Sequence, residues 1–420
     1  ILRNRRKNPN DDIKPTAAFR EWIKKSMTEN KPYDQFVREL LTVTGEEIKD
    51  PPVVWYRELK DQTTAMEDVA QLFLGQRLGC AKCHHRPMEK WSQQDYWSFA
   101  AFFAKWEVKE AKPAKKNKDG TMVAAEPTTL ILKNGKVETK NPRTNKVVLP
   151  AGLGDTPMSA MPDGDVRSHL ADWMTNPKNP YFAKSLVNRY WKHFMGRGLV
   201  DPEDDLRITN PATNPELLDA LAKSFIESKY DLKKLVRDIV TTKTYQLSAM
   251  PNKHNADDTQ NYSRFLPKRL PAEVLLDAVD DVTLSKSKFG KGVQGTPRAV
   301  QLPDNVVDSY FLSVFGRPDS SSACECERSG GASLAQALHM YNSSEIQTKL
   351  AGPRIGELAK SKLTPTQRLE EIYLIALSRK PTTEEIDTLV KYLEKKGGSQ
   401  SAYEDILWVI LNTKEFMFNH

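Results

Sequence analysis

The chain has 420 residues, of which 39% are hydrophobic and 28% are charged, and its formal net charge is +7. This composition indicates a globular protein of two or three domains, and the apolar runs are too short for a helix that crosses a bilayer. The positive charge is scattered and accompanies no nucleic-acid-binding motif, so we expect no nucleic-acid partner. Because the sequence begins at Ile1, we interpret it as a fragment or a processed form that lacks its start.

Four segments within residues 1–106 have apolar residues at helical spacing. "TAAFREWIKKSM" has Thr16 placed as a cap, and "KPYDQFVRELLTVTG" ends at Gly45. The third, "TTAMEDVAQLFLGQRLGC", is expected to deliver Cys80 at or just past its end. The fourth, "SQQDYWSFAAFFAKW", begins with Ser92 as a cap and has Asp95 in its first turn. This part of the chain is therefore predicted to be helical.

Residues 107–165 break the helical pattern. A Lys-rich run, "KEAKPAKKNKDG" over residues 109–120, predicts a solvated loop. "TTLILKNGKVETKN" then alternates in polarity around Asn134-Gly135, a dipeptide typical of two-residue hairpin turns. "GLGDTPMSAMPDGD" follows as an irregular connector. We expect a Lys-rich loop, a small β-hairpin insert and a connector here.

From residue 166 onward, helices return with clear start signals. Asn214 precedes a proline, and Thr364 with Gln367 and Thr382 with Glu385 have the spacing of capping boxes. The predicted fold class is therefore mainly α. Two helical domains, 1–106 and 166–420, are separated by the insert over 107–165.

The strongest chemical motif is "GCAKCHH" at residues 79–85. Two thiols and a histidine at C-x-x-C-H spacing are typical of a c-type haem attachment site. Cys80 and Cys83 would form the thioether bonds, and His84 would be the proximal ligand of the haem iron. The same C-x-x-C is also half of a zinc site, or a redox disulfide.

The other two cysteines, Cys324 and Cys326, form a second close pair in the sequence. Together with Cys80 and Cys83 they would supply four thiolates, the full set for a structural zinc site. A zinc site would use all four cysteines, whereas haem attachment would use two. Disulfide bonds or a dithiol redox pair are the third interpretation, which suits an exported protein.

A haem iron also needs a second ligand or an open face. Met161, followed by Pro162 in "SAMPDG", is the candidate for the distal ligand. Further candidates are histidines, each of which is more often a structural residue than a ligand: His169, His193, His254 and His339.

A second polar cluster lies in "NRYWKHFMGRGLVDPEDDLR" at residues 188–207. Arg189 and His193 have i,i+4 spacing and are expected to share a helix face. His193 would act as acid or base, with Asp204 or Asp205 as its partner or as a cation ligand, which would suit a hydrolase. The alternative interpretation is a set of ion pairs that locks the turn. Enzymatic activity is left open.

Long segments of the chain resemble a known domain pair. "LGCAKCHHRPMEKWSQQDYWSFAAFF" resembles the signature of a planctomycete-type cytochrome-like domain of unknown function. "NPYFAKSLVNRYWKHFMGRGLVDPEDDLRITNPATNPELLDAL" resembles the opening of the planctomycete-specific domain that follows it, and "YEDILWVILNTKEFMFNH" resembles its end. In one departure, Arg86 stands where many relatives carry a histidine.

The resemblance implies an exported protein, periplasmic or at the cell surface, whose partner is a redox protein or a co-encoded exported protein. It favours haem c as the cofactor and redox chemistry or electron transfer as the function. The alternative is a non-catalytic scaffold, stapled by a four-cysteine metal site or by disulfides, that partners exported catabolic enzymes.

Overall fold

The computed structural model describes residues 2–8, 11–59, 61–85, 89–112, 115–116, 122–123, 126–135, 137–290, 293, 295–318 and 333–419. Within these residues the chain forms seventeen α-helices, and its β-strands are only two to four residues long. The predicted mainly α fold class is confirmed. The chain divides into two compact units, of which unit 1 has Asp12–Phe265 as its main segment and unit 2 contains residues 266–318 and 333–419.

Unit 1 is built from eight described helices around one core. Trp55, Tyr96 and Trp191 are fully buried there, and the third helix packs against the sixth. The helices are α1 (Lys14–Thr28), α2 (Tyr33–Thr42), α3 (Gln62–Leu74), α4 (Gln93–Ala100), α5 (Val166–Thr175), α6 (Phe182–Met195), α7 (Pro215–Glu227) and α8 (Leu232–Val240). Short 3₁₀ turns cover Pro51–Glu58, Gly79–Lys82 and Ala101–Phe103.

Local signals set several of these helix starts. Ser92 caps α4 as predicted, and Asp95 in the first turn completes a capping box with it. The prediction that Thr16 caps α1 is wrong, because α1 already begins at Lys14 with Pro15 in its first turn. Thr16 is buried, and its hydroxyl donates a hydrogen bond to the Ile13 carbonyl at 3.0 Å. A proline in the first turn thus starts this helix without a side-chain cap.

The strands of unit 1 are antiparallel, as the predicted insert requires. They are β1 (Gly45–Glu46), β2 (Trp106–Lys109), β3 (Lys115–Lys116), β4 (Met122–Val123), β5 (Thr129–Leu132), β6 (Thr139–Lys140) and β7 (Val147–Val148). The sheets are β1-β5-β2, β3-β4 and β6-β7. Half of the Lys-rich loop predicted over 109–120 lies outside the described residues.

The Asn134-Gly135 dipeptide does not close the predicted hairpin between its flanking strands. β5, which precedes it, is the central strand between β1 and β2, whereas β6, which follows it, pairs with β7. Because both edges of β5 are occupied, the strand after Gly135 has no edge of β5 to join. Leu130 at the centre of β5 is fully buried, which fixes the face that this strand turns to the core.

Unit 2 has its own core, which includes Leu276, Phe311, Ile346 and Tyr403. Its described helices are α9 (Ala272–Thr283), α10 (Tyr310–Val314), α11 (Leu334–Asn342), α12 (Ser344–Leu350), α13 (Pro353–Lys360), α14 (Pro365–Leu377), α15 (Thr383–Lys395), α16 (Gln400–Leu411) and α17 (Lys414–Met417). Strands β8 (Lys268–Arg269) and β9 (Phe418–Asn419) pair antiparallel. In the part of the chain that is described, no helix is both long enough and apolar enough to cross a membrane.

Candidate functional site: an exposed Cys-Cys-His turn above a buried acidic turn

The segment that carries the cysteines begins where α3 ends. α3 stops at Leu74 because Gly75 adopts a left-handed φ of 63° and caps the helix. A Cβ on Gly75 would lie 1.8 Å from Leu206 Cδ1, so a larger side chain would collide with the turn that contains Leu206. The prediction that α3 delivers Cys80 at or just past its end is therefore wrong, since α3 ends at Leu74 and a separate 3₁₀ turn carries Cys80.

Gln76 ties together the two ends of the cysteine-bearing segment. Its side chain is buried, its Nε2 donates to the Leu206 carbonyl at 3.1 Å, and its Oε1 accepts from Trp91 Nε1 at 3.0 Å. Trp91 is itself buried in the core of unit 1. One amide thus fixes where the segment starts and where it returns to the core.

Cys80 lies in the 3₁₀ turn Gly79–Lys82, and Cys83 follows directly as its C-cap. Residues i and i+3 eclipse each other in a 3₁₀ turn, so the two thiols lie on the same side of it. Both cysteines are exposed thiols, whereas Ala81 between them is buried. The turn therefore presents its sulfur atoms to solvent and packs its opposite side against the protein.

Hydrogen bonds from neighbouring helices hold this turn in place. Gln93 Nε2 donates to the carbonyl oxygens of Lys82 and Cys83 at 3.0 and 3.3 Å, and Trp97 Nε1 donates to the Lys82 carbonyl at 3.3 Å. Lys82 Nζ donates to Thr63 Oγ1 at 3.1 Å. The backbone of the turn is thereby tied to α4 and to the first turn of α3.

His84 follows the turn and is also exposed. Its Nδ1 lies 3.2 Å from the carbonyl oxygen of His85. In the tautomer in which Nδ1 donates to that carbonyl, Nε2 is unprotonated and can ligate a metal. The exposed groups of this site are thus two thiols on one side of a turn and an adjacent imidazole.

The acidic turn, residues 201–207, contacts the cysteine-bearing segment, and most of its carboxylates are buried. Only 1% of Asp204 is exposed, and its carboxylate accepts hydrogen bonds from Gln71 Nε2 and from the guanidinium of Arg77. Arg77 lies between Gln76 and the cysteine turn in sequence. Asp204 therefore anchors the beginning of the cysteine-bearing segment.

Asp205 and Arg207 make a second anchor, at the other end of that segment. Arg207 pairs with the Asp205 carboxylate, and its Nη1 donates to Glu89 Oε1 at 3.0 Å. The hydrogen bond from Arg207 to Asp205 raises the pKa of Arg207, so this guanidinium is charged at all ordinary pH values. Glu89 follows the cysteine turn, so the acidic turn contacts the segment on both sides of the thiols.

Glu203, the third buried acid of the turn, is compensated from α6. It pairs with Lys192 Nζ, and its Oε1 lies 3.9 Å from Arg189 Nη1. Asn188 Nδ2 donates to the Val200 carbonyl at 2.8 Å, and Asn188 Oδ1 accepts from the Val200 N–H at 2.9 Å. The buried carboxylates thus have cationic partners, which is the arrangement of the alternative interpretation, in which ion pairs lock the turn.

His193 differs from the buried residues of this network because it is exposed. Arg189 is buried and faces the acidic turn, whereas His193 on the same helix is exposed, with its ring packed edge-on against Phe194. The i,i+4 spacing puts both residues on one side of α6, but only Arg189 is inside the unit, whereas His193, in the last turn of the helix, is at its surface. A catalytic role for His193 with Asp204 or Asp205 stays a hypothesis.

Met161, the predicted distal ligand, lies on the connector after the β-insert. Its side chain is half-buried and packs against the core of unit 1. The other histidine candidates have varied surroundings: His169 is half-buried, His254 is exposed, and His339 is buried against the ring of Phe311. Cys324, Cys326 and Arg86 lie outside the described residues, so the four-cysteine zinc site stays a hypothesis.

Four residues that anchor the site were not predicted from the sequence: Gln71, Gln76, Arg77 and Glu89. Their partners lie far away in the sequence, so no short-range spacing identifies them. The available signal was position alone, because Gln76, Arg77 and Glu89 immediately flank the C-x-x-C-H motif.

The donor set of the turn fits a covalently attached haem. Both thiols are exposed, and an exposed imidazole follows the second of them, which are the groups that thioether attachment and iron ligation use. Among the described residues, no group of three or more His, Cys, Asp or Glu side chains has the geometry to hold a bare metal ion. The acidic turn has its cationic partners instead.

Comparison with known proteins gives matches to two protein families. Residues 166–393 match the model of PSD1, a protein of unknown function (DUF1553), and residues 1–108 match the model of PSCyt2, a protein of unknown function (DUF1549). The chain belongs to the PSD1 family, and the predicted planctomycete-type domain pair is confirmed. No curated protein and no solved structure matches it.

The two family segments meet within unit 1. The cysteine turn lies in the PSCyt2 segment, and the acidic turn that anchors it lies in the PSD1 segment. The second predicted domain, 166–420, contributes residues to both compact units, because residues 166–265 belong to unit 1. The candidate site therefore depends on both families' sequences at once.

Proposed function

We propose that Cys80 and Cys83 attach haem c and that His84 ligates its iron, which makes this chain a redox or electron-transfer protein. The observation that carries the proposal is the exposure of all three groups on one anchored turn. In a globular protein, cysteine side chains outside disulfide bonds are among the more commonly buried groups. Two thiols held at the surface beside an imidazole are suited to binding something from outside.

The residues of the chain have distinct parts in this proposal. Cys80 and Cys83 would hold the haem through thioether bonds to its vinyl groups, an addition that needs no oxidant. His84 would ligate the iron through Nε2. The bound haem would supply a one-electron couple, whose potential depends on the axial ligands and on burial. Met161 is the proposed distal ligand.

Anchoring of the turn would assist electron transfer by the bound haem. Gln76, Arg77 and Glu89 hold the two ends of the segment, and Gln93 and Trp97 hold the turn itself. A turn that is fixed from behind keeps the sulfur atoms and the imidazole in one arrangement in both redox states. Small reorganisation between the oxidised and reduced states favours fast electron transfer.

We also propose, from the family resemblance, that the protein is exported and that its partner is a redox protein or another exported protein encoded beside it. The alternative function is a scaffold stapled by zinc or disulfides through Cys80, Cys83, Cys324 and Cys326. The two functions differ in an observable way, because haem gives a coloured, covalently modified chain, whereas zinc and disulfides give a colourless one.

The test is production of the chain in a periplasm that contains a c-type haem maturation apparatus, followed by absorption spectroscopy and haem staining of a denaturing gel. The parent chain is expected to show a Soret band and a stained band, and C80S/C83S is expected to lose both. H84A is expected to shift or lose the Soret band, whereas H85A, at the adjacent exposed histidine, is the matched control and should leave it unchanged.

Two outcomes would contradict the proposal. If H84A and H85A have the same spectrum as the parent, His84 is not the iron ligand. If the parent chain is colourless and contains stoichiometric zinc that C80S/C83S loses, the scaffold function replaces haem attachment.

A further inference from the structure

Unit 2 contains a pocket of its own. Its volume is about 360 Å³. It lies beside α11 and β9, and its lining includes residues of both, together with Arg269 on β8 and Phe315 after α10. Sites for small organic ligands have volumes of ~300–1,000 Å³, so the pocket has the size of a small-molecule site.

The walls of this pocket are mainly apolar. Phe315 and Met340 are buried at its inner side, and Met417 and Phe418 line it from the end of the chain. Its rim carries large apolar side chains in contact with solvent, since Leu338 is 56% exposed and Tyr341 is 61% exposed. A ligand with an apolar body would cover this rim.

Among the described residues that line this pocket, Arg269 is the cation. Strand pairing of Arg269 with Phe418 fixes its backbone, and its guanidinium lies over the ring of Phe315 at 5.8 Å. Two of the acceptors that hold it are neutral: Gln336 Oε1 at 2.5 Å and the Phe315 carbonyl at 2.9 Å. Gln336 is in turn held by the Val314 carbonyl. Neutral groups therefore take part in orienting the guanidinium.

Burial lowers the pKa of Arg269. A carboxylate partner would raise the pKa of a guanidinium, so a lowered pKa means that desolvation outweighs any compensation by negative charge. An anion that enters the pocket would supply that compensation in a partly desolvated place, where the attraction is stronger than in water.

We propose that the pocket binds a small carboxylate with an apolar chain or ring, whose carboxylate pairs with Arg269 and whose body covers the apolar wall. A planar guanidinium matches a carboxylate through two parallel hydrogen bonds. Because the described lining residues supply one cation, they suit a monoanion better than a phosphate dianion, whose second charge none of them would pair. The chemical class is that of a medium-chain or aromatic carboxylic acid.

The test uses octanoate as the probe and measures its affinity for the full chain by isothermal titration calorimetry, with octanol as the uncharged comparison. Octanoate is expected to bind, and octanol at least tenfold more weakly. R269Q is expected to weaken octanoate binding by about tenfold or more, the loss of one charge-assisted hydrogen bond.

Two tryptophan variants of α11 keep the proposal testable if R269Q does not fold. Ala337 lines the pocket and is exposed, so A337W fills the pocket without burying new surface in the core. Ala335 is exposed on the same helix and is not among the lining residues, so A335W is its control. A337W is expected to abolish octanoate binding and A335W to preserve it.

Three results would overturn the proposal. Octanoate that fails to bind at millimolar concentration would show that the pocket is not a carboxylate site. Equal affinity for octanol would show that Arg269 does not recognise the ligand. Equal loss of binding in A335W and A337W would place any binding elsewhere.

Discussion

Replacement of Asp204 by asparagine tests whether the acidic turn anchors the cysteine-bearing segment. The carboxylate is 1% exposed and accepts hydrogen bonds from Arg77 and Gln71. D204N removes the charge and turns one acceptor into a donor, while the shape of the side chain is kept. The free energy of unfolding of unit 1 and the protection of residues 76–85 from amide hydrogen exchange should both decrease.

The magnitude follows from these contacts. Loss of a hydrogen bond to a charged group costs about 1.5–3 kcal/mol, and a mismatched neutral bond adds ~1 kcal/mol. Breaking a fully buried pair costs up to ~5 kcal/mol, but the Arg77 side chain is 38% exposed and can be rehydrated, so the lower part of that range applies. We expect a loss of about 2–4 kcal/mol, or a melting temperature lower by roughly 5–15 °C.

Asp201 in the same turn provides the control. Its side chain is 38% exposed and lies 3.9 Å from Lys192 Nζ and 4.0 Å from Arg197 Nε, so D201N should cost less than ~0.5 kcal/mol. Tryptophan fluorescence is the assay, because seven of the eight tryptophans lie within 12–265 and report mainly on unit 1. If D204N shifts the denaturation midpoint no more than D201N does, the acidic turn is not an anchor.

Three further predictions concern charge and access. Hydrogen bonding by Arg379 lowers the pKa of Glu385 from 4.5 to about 2, so its stabilisation is present above pH 4.5 and is lost as pH falls towards 2. In E385Q the loss of stability between pH 4.5 and 2 should be smaller by ~1 kcal/mol, and an unchanged loss would contradict this prediction. Burial lowers the pKa of Lys268 from 10.5 to about 8, so the unfolded state binds more protons between these values and stability should rise with pH from 8 to 10. K268Q should remove this rise in stability, and a rise that persists in K268Q would show that Lys268 does not cause it. Finally, iodoacetamide should modify Cys80 and Cys83 of the cofactor-free chain without denaturant, and modification that needs denaturant would refute their exposure.

Features set by neighbouring residues were predictable from the sequence. Thr364 with Gln367 and Thr382 with Glu385 form capping boxes as predicted, and Ser92 caps α4 as predicted. Asn214 caps α7, again as predicted. These signals depend on contacts within one helical turn, so the local sequence contains all the information they need.

Features set by distant contacts were not predictable in the same way. β5 pairs with β1 and β2 rather than across Asn134-Gly135, so the strongest local hairpin signal is overridden by partners from other parts of the chain. The segment after α3 is likewise held by a distant residue, since Gln76 Nε2 donates to the Leu206 carbonyl. Hydrophobic periodicity carries no information about which partner that is.

The candidate site was likewise predictable from the sequence only in part. The C-x-x-C-H spacing identifies Cys80, Cys83 and His84, and the structure adds that they are exposed on one turn. The role of the acidic turn was only one of two alternatives in the sequence, because Arg and Asp residues in alternation suit both catalysis and mutual neutralisation. Arg77 and Glu89, which contact it from the cysteine-bearing segment, could be found only from the fold.

The most direct test of the account is the mass of the chain isolated after natural maturation in an exporting cell. If haem is attached as proposed, the mass exceeds that of the polypeptide by one haem, the added mass lies on the peptide that contains Cys80 and Cys83, and the intact protein has a Soret band. An unmodified mass, with Cys80 and Cys83 found as thiols or in disulfide bonds, would contradict haem attachment.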